Sequence, residues 1–64
     1  MKRAELKAFR TSKGLTQRDV AEMLKISKSH YACIEQGTHN PSTKLVKVFC
    51  NVFGKENASL IIGS

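Results

Sequence analysis

The sequence predicts an all-α fold, a compact bundle of about five short helices that forms a single domain over residues 1–64. Apolar residues recur at three- and four-residue spacing, and Ser, Thr or Gly residues bound several of these segments. The spacing indicates the buried face of a helix, Ser and Thr are typical N-caps, and Gly is a typical C-terminal stop. Strand patterning and low-complexity segments are absent from the sequence.

Helix one is predicted to extend from about Arg3 to Lys13. Leu6 and Phe9 lie at the spacing of one inward face, and Gly14 provides a natural stop. The segment is short and amphipathic, so we expect it to pack on one side against the rest of the bundle.

Two further helical segments, joined by a tight turn, lie between Thr16 and Gly37. Thr16 can cap the first, and Asp19 can return the hydrogen bond of a capping box. Ser27 can cap the second, which is predicted over residues 28–36 and stops at Gly37. Helices two and three therefore form a helix-turn-helix, a motif that indicates DNA binding.

Helix four is predicted to follow the turn Asn40-Pro41-Ser42 and to end at about Phe53, because the residue before Pro disfavours helix and Ser42 can cap. It carries two apolar stripes, Val46, Phe49, Cys50 and Phe53, and Leu45, Val48 and Val52. The second stripe needs cover. Either the tail, a short capped helix predicted over residues 57–62, folds back on its own chain, or a second subunit covers the stripe.

Composition and charge limit the classes of partner and function that this chain can have. The chain has 11 basic and 5 acidic residues and a net charge of +6, which favours nucleic acid or an anionic membrane as partner. A 64-residue domain buries only about 60% of the surface of its unfolded chain, which is a reason to expect a dimer. The sequence has no spanning segment, secretory signal, phosphate loop or catalytic constellation. We therefore expect a cytoplasmic protein that is not an enzyme and has no cofactor, small-molecule substrate or membrane partner.

The cysteines and histidines are not expected to bind a metal ion. Cys33 and Cys50 should remain thiols in a cytoplasmic protein. His30 and His39 lie near them, but the CxxC and HxxxH spacings of metal sites are absent.

The order of these features resembles that of the lambda-repressor-like or Xre family, which includes phage repressors and Cro proteins. The matching segments are Leu6–Arg10, Lys13–Gln17, Val20–Ala21, Ile26–Ser29, Ile34–Gly37, Asn40–Ser42 and Phe53–Gly54. The chain departs from the family at the turn, where Lys25 replaces the usual Gly, and at Tyr31, where the family has Ile or Val. The resemblance implies a homodimeric, sequence-specific repressor of phage or mobile-element type that binds a palindromic operator in double-stranded DNA.

The residues predicted to read bases lie on the side of helix three that is free once Tyr31 and Ile34 turn inward. They are Lys28, Ser29, Ala32 and Cys33. Lys28 can donate to guanine, although a phosphate contact is an alternative for this lysine.

A second group is predicted to contact the DNA backbone. Its members are Gln17, Arg18, His30, Thr38, His39, Asn40 and Lys44. Gln17 is assigned by the resemblance and by its place at the start of a helix, where amide groups attract an anion. The resemblance also implies an ion pair of Arg10 with Glu35, which fixes the angle of helix three.

The predicted dimer interface lies at the end of helix four and in the tail, as the resemblance implies. Its residues are Val52, Leu60, Ile61 and Ile62. The alternative function is a protein-interaction module of the same fold, such as an antitoxin or anti-repressor. The basic and small polar outer face of helix three favours DNA over this alternative.

Overall fold

The computed structural model describes residues 3–62, and these residues confirm the all-α prediction, with five α-helices and no strand. The helices are α1 Ala4–Ser12, α2 Gln17–Leu24, α3 Lys28–Gln36, α4 Thr43–Phe53 and α5 Ala58–Ile62, with a 3-10 helix at Lys55–Asn57. Among them, none is both long and apolar enough to cross a lipid bilayer.

The predicted caps are present and explain where three of the helices begin. Thr16 and Asp19 form a reciprocal capping box, with an Asp19 N to Thr16 Oγ1 distance of 3.0 Å and a Thr16 N to Asp19 Oδ2 distance of 2.9 Å. These hydrogen bonds lower the pKa of Asp19. Ser27 and Ser42 each accept a hydrogen bond from the amide three residues ahead, at 3.1 Å. Each cap satisfies an amide that the helix itself leaves without a partner.

The turn between α2 and α3 places Lys25 in the left-handed region, at φ 61° and ψ 41°. It is the one non-glycine residue with positive φ among those described. That conformation costs a residue with a Cβ about 1 kcal/mol. The turn nevertheless forms, and Ile26 N donates to Ala21 O at 2.9 Å.

α1 is one residue shorter at each end than predicted. Arg3 is not helical, with φ −96° and ψ 68°, and its amide donates to Glu35 O of α3 at 2.9 Å. Lys13 and Gly14 instead close the C-terminal end of α1 with turn hydrogen bonds, and Gly14 has φ 72°. The start of α1 is therefore fixed by a contact with α3.

The core lies between the five helices, and α5 in the tail contributes one residue to it. Its buried apolar residues are Leu6, Val20, Ala21, Leu24, Tyr31, Ile34, Leu45, Phe49 and Ile61. The rings of Phe9 and Phe53 pack against this core at Phe49, and the centroids of the three rings are 5.0 to 6.5 Å apart. α5 packs against α4 and α1, so the tail folds back on its own chain.

This packing corrects one residue of the predicted dimer interface. Ile61 is 0% exposed in the core of its own chain, so it has no surface to offer a second subunit. Its neighbours differ, because Ile62 is 48% exposed and Leu60 is half-buried. Val52 of α4 is 40% exposed. An apolar surface therefore remains after the tail has covered part of α4.

Candidate nucleic-acid interface

The outer side of α3 carries the residues predicted to read bases. Tyr31 and Ile34 are 0% exposed and hold the inner side of the helix in the core. Lys28 and Ser29 are exposed on the first turn, whereas Ala32 and Cys33 are half-buried on the next. In a helix-turn-helix, the N-terminal residues of the second helix meet the base edges. The exposed pair therefore stands at the end of α3 that would enter the major groove.

An open groove of about 690 Å³ lies beside this first turn of α3. It is lined by Lys7, Arg10, Thr11, Gly14, Leu15, Thr16, Gln17, Arg18 and Lys28. Four of these side chains are cationic, and none is acidic. The groove also contains the N-terminal end of α2, where free amides and the helix dipole favour an anion. Its charge and its position suit a DNA phosphate.

Arg10 and Glu35 form the ion pair that the family resemblance implies, between α1 and the end of α3. Arg10 Nε donates to Glu35 Oε2 at 2.8 Å, and Arg10 Nη2 donates to Glu35 Oε1 at 3.3 Å. The two side chains are 9% and 5% exposed. Arg10 Nη1 also donates to Leu15 O at 2.8 Å. The pair therefore connects α1, the loop before α2, and α3.

Besides its predicted contact with DNA, Gln17 makes a side-chain hydrogen bond within the protein that the sequence did not indicate. Its Nε2 donates to Glu35 Oε1 at 3.2 Å, so this half-buried side chain joins α2 to the ion pair. Burial acts to raise the pKa of Glu35, but the contacts with Arg10, with the adjacent Tyr31 hydroxyl and with Gln17 outweigh it and hold the pKa below its ordinary value. Glu35 is therefore ionised and joined to two other helices.

The hydroxyl of Tyr31 lies at this same cluster. Its oxygen is buried and has no hydrogen-bond partner of good geometry within residues 3–62. Burial, followed by the nearby Glu35 carboxylate, raises the pKa of Tyr31, so the hydroxyl is neutral. The aromatic ring takes the core position predicted for it, and the polar atom stands next to the ion pair rather than in solvent.

The other predicted backbone contacts flank α3 on its opposite side. His30, Thr38, His39, Asn40 and Lys44 are all exposed. The rings of His30 and His39 meet edge to face with centroids 6.1 Å apart, and His30 and Lys44 line one groove of about 320 Å³. This flank therefore joins the start of α3, the α3–α4 loop (residues 37–42) and the start of α4.

The side chains of Thr38 and Asn40 in the α3–α4 loop also make hydrogen bonds within the protein. Thr38 Oγ1 donates to Cys33 O at 3.1 Å, and Asn40 Oδ1 accepts from Arg3 Nη2 at 3.1 Å. Arg3 is 7% exposed, and sequence analysis missed its role. Most of its partners are backbone carbonyls, which leave no pattern in a sequence.

Residues 3–62 contain no group of three or more His, Cys, Asp or Glu side chains arranged as metal ligands. Cys33 and Cys50 are free thiols, and both are half-buried.

A helix-turn-helix whose second helix has an exposed first turn beside a basic groove defines the class of DNA-binding transcription regulators. The sequence profile of the helix-turn-helix family matches residues 6–56. The chain therefore belongs to this family, in its lambda-repressor-like or Xre branch. The family is one of transcription regulators and not of enzymes.

Two curated relatives are similar to the chain. One, from Bacillus subtilis, is described as the uncharacterized HTH-type transcriptional regulator YqaF, and is 43% identical over 47 residues, which are 73% of this chain and 62% of the relative. The chain thus spans less than two thirds of the length of YqaF. The other, an uncharacterized HTH-type transcriptional regulator from Methanocaldococcus jannaschii, is 34% identical over 58 residues, 91% of this chain and 88% of the relative. No solved structure matches the chain at a significant level.

Proposed function

We propose that the protein is a homodimeric, sequence-specific repressor of phage or mobile-element type that acts by occupying a palindromic operator. The observation that carries the proposal is the first turn of α3, where Lys28 and Ser29 are exposed beside a groove that also carries the exposed cations Lys7 and Arg18. A reading helix inserted in the major groove needs exposed donors at this end and positive charge next to it.

Each residue of the face has a distinct role in this proposal. Lys28 donates to guanine O6 and N7, and Ser29 hydrogen-bonds a neighbouring base. Ala32 offers a methyl-sized contact suited to thymine, and Cys33 is a weak donor. Because few of these side chains read a base bidentately, DNA shape and bridging water contribute to specificity.

The phosphate contacts lie on the two sides of α3. Arg18 and the amides at the start of α2 bind phosphate in the basic groove, together with Gln17 to the extent that its contact with Glu35 allows. On the opposite side the contacts come from His30, Thr38, His39, Asn40 and Lys44, all of them exposed. These contacts position the protein and read no base.

The dimer is supported by apolar surface that the single chain leaves uncovered. Val52 and Ile62 are 40% and 48% exposed, and their helices pack against each other. With the half-buried Leu60 they offer one patch for a two-fold contact. Two reading helices related in this way enter major grooves one turn apart, which requires a palindromic operator.

Selection of bound sequences from a random DNA pool tests the proposal, and a palindromic motif is the expected result. If a dimer neutralises about six phosphates, log K for the selected operator falls with log salt at a slope of about −5. A flat salt response removes DNA binding and would favour a protein-interaction module. Equal affinity for all sequences would instead leave a non-specific DNA binder.

Base contacts and phosphate contacts can be distinguished by measuring how protein variants bind a panel of operators with single-base changes. Lys28→Ala should alter the preference at one position of each half-site, by about 1 to 3 kcal/mol if the contact is bidentate. Gln17→Ala should weaken all members about equally. Lys55→Ala is the charge-matched control, because its 3-10 helix packs on α4 and α5. A uniform loss in Lys28→Ala would make Lys28 a phosphate contact.

A further inference from the structure

Arg3, just before α1, makes more side-chain hydrogen bonds than any other residue between positions 3 and 62. Its guanidinium donates to five oxygen atoms and is 7% exposed. The distances are 2.7 Å from Nε to Ile61 O, 2.6 Å from Nη1 to Ile34 O, 3.3 Å from Nη1 to His39 O, 3.1 Å from Nη2 to Asn40 Oδ1 and 3.3 Å from Nη2 to Ile62 O. A guanidinium has five N–H groups, so every donor has a partner.

The acceptors explain how this charge is stabilised away from solvent. None of the five is a carboxylate; four are backbone carbonyls and one is a side-chain amide. Ile34 lies in the last turn of α3, and Ile61 and Ile62 end α5. Carbonyls at a helix C-terminus lack intrahelical donors and carry partial negative charge. Arg3 therefore caps the ends of two helices with one planar group.

The groups that Arg3 connects belong to two different surfaces of the proposed regulator. His39 and Asn40 lie in the α3–α4 loop, which is proposed to contact the DNA backbone. Ile62 lies at the exposed end of α5, which is proposed to contact the second subunit. Since one planar guanidinium bonds to both segments, a displacement of either segment must break its own hydrogen bonds to Arg3 or move the group that also holds the other segment.

We propose that Arg3 is a positioning residue that holds the α3–α4 loop in its DNA-binding geometry and couples it to the end of α5. This inference rests on the proposed function, in which the α3–α4 loop binds DNA and α5 binds the second subunit. Its consequence is that DNA binding by the loop and subunit association through α5 strengthen each other.

Operator binding by two substitutions tests the positioning role. Arg3→Met removes all five donors and should weaken operator binding about tenfold, with a shallower salt slope and an unchanged base preference. Arg3→Lys keeps the charge but has three donors, so it should restore binding only in part. Ile61→Val is the matched control, because it trims the buried side chain and leaves the carbonyl for Arg3. Equal losses in Arg3→Met and Ile61→Val would overturn the proposal.

Hydrogen exchange of the free protein tests the same role without DNA. The amides of Thr38 and His39 donate to Cys33 O, and Arg3→Met should accelerate their exchange together with that of α5. Sedimentation should show weaker association in the same variant. Unchanged loop exchange in a folded variant, or unchanged association of a dimer, overturns the proposed coupling.

The measurements also separate this inference from the proposed function. If the unsubstituted protein selects no DNA sequence, the proposed function fails, while exchange still decides whether Arg3 holds the loop. If Arg3→Met does not fold, Arg3→Lys carries the same comparisons, with a smaller change expected at the same amides.

Discussion

Glu35 accepts hydrogen bonds from side chains of two other helices, Arg10 of α1 and Gln17 of α2. A carboxylate on α3 would repel DNA phosphate if it faced outward. Buried and paired, it instead sets how α3 is held against α1 and α2. The side chain thus helps to fix the orientation of α3, although it does not form part of the proposed DNA-binding face.

A double-mutant cycle on Arg10 and Glu35 should show strong coupling. Arg10→Ala or Glu35→Ala should each lower the free energy of unfolding by up to about 3 kcal/mol, because each leaves a buried charge without its partner. The double variant should lose less than the sum. Urea unfolding measures all four proteins, and strict additivity would mean that the two side chains do not interact.

Acid should destabilise the protein through the same residue. The pKa of Glu35 is below its ordinary value of 4.5 in the folded chain, so the unfolded chain binds the proton at a higher pH. The stabilisation is complete above about pH 4.5 and is lost as the pH falls through the folded-state pKa, by up to about 1.4 kcal/mol per pH unit. Unfolding free energies measured from pH 6 to pH 2 (a range of about four units) should be less pH-dependent in Glu35→Gln. An identical pH dependence in both proteins would refute the assignment.

At the scale of the elements, the helices begin and end where local chemistry favours it. Thr16, Ser27 and Ser42 each cap a helix, and Gly37 has φ 84° at the end of α3. The turn of the helix-turn-helix differs, because Lys25 adopts the left-handed conformation that suits Gly. Packing of the two helices on the core therefore holds a turn that local preference disfavours.

Replacing that lysine should stabilise the protein. Lys25→Gly should raise the free energy of unfolding by up to about 1 kcal/mol, since Gly adopts positive φ without a Cβ clash, less the entropy gained by the unfolded chain. Lys25→Ala is the control, because it also removes the charge but keeps the Cβ. Thermal and urea unfolding should rank the glycine variant above the alanine variant. The reverse order would show that the turn is not strained.

Over the molecule as a whole, α5 has one residue in the core and another at the proposed dimer interface, and the sequence of its apolar residues does not show which is which. Ile61 completes the core of its own chain, while Ile62 stays exposed on the helix that packs against α4. Burial of Ile61 stabilises this small domain, whereas the exposed Ile62 is available for the proposed contact with a second subunit. The proposed dimer therefore depends on which residues of α5 face outward.

Surface substitutions test that interface. Val52→Asp and Ile62→Asp should each shift the protein from dimer to monomer in sedimentation at micromolar concentration, with the helical circular dichroism retained. Met23→Asp is the matched control, because Met23 of α2 is also 40% exposed but lies outside the patch. Ile61→Asp should instead unfold the chain. A folded monomer before any substitution would contradict the dimer.

Interactions between near neighbours along the chain are enough to predict the helices of this protein and the motif they form. Ser27, for example, caps α3 through an amide three residues away, and Tyr31 and Ile34 lie on one face because of helical periodicity. Such interactions act between near neighbours, so the residue order is enough to predict them. The ion pair of Arg10 with Glu35 was implied by the family resemblance, not by local pattern.

The side chains that make contacts between helices could not be predicted from the residue order, because these contacts depend on how the helices pack. In a short apolar run such as residues 60–62, successive side chains point about 100° apart, and packing alone selected Ile61 for the core. Gln17 lies at the start of α2, yet its contact with Glu35 depends on how α2 and α3 meet. Arg3 bonds mainly to backbone carbonyls, which every residue has, so its partners are defined by their positions in the fold and not by their residue types.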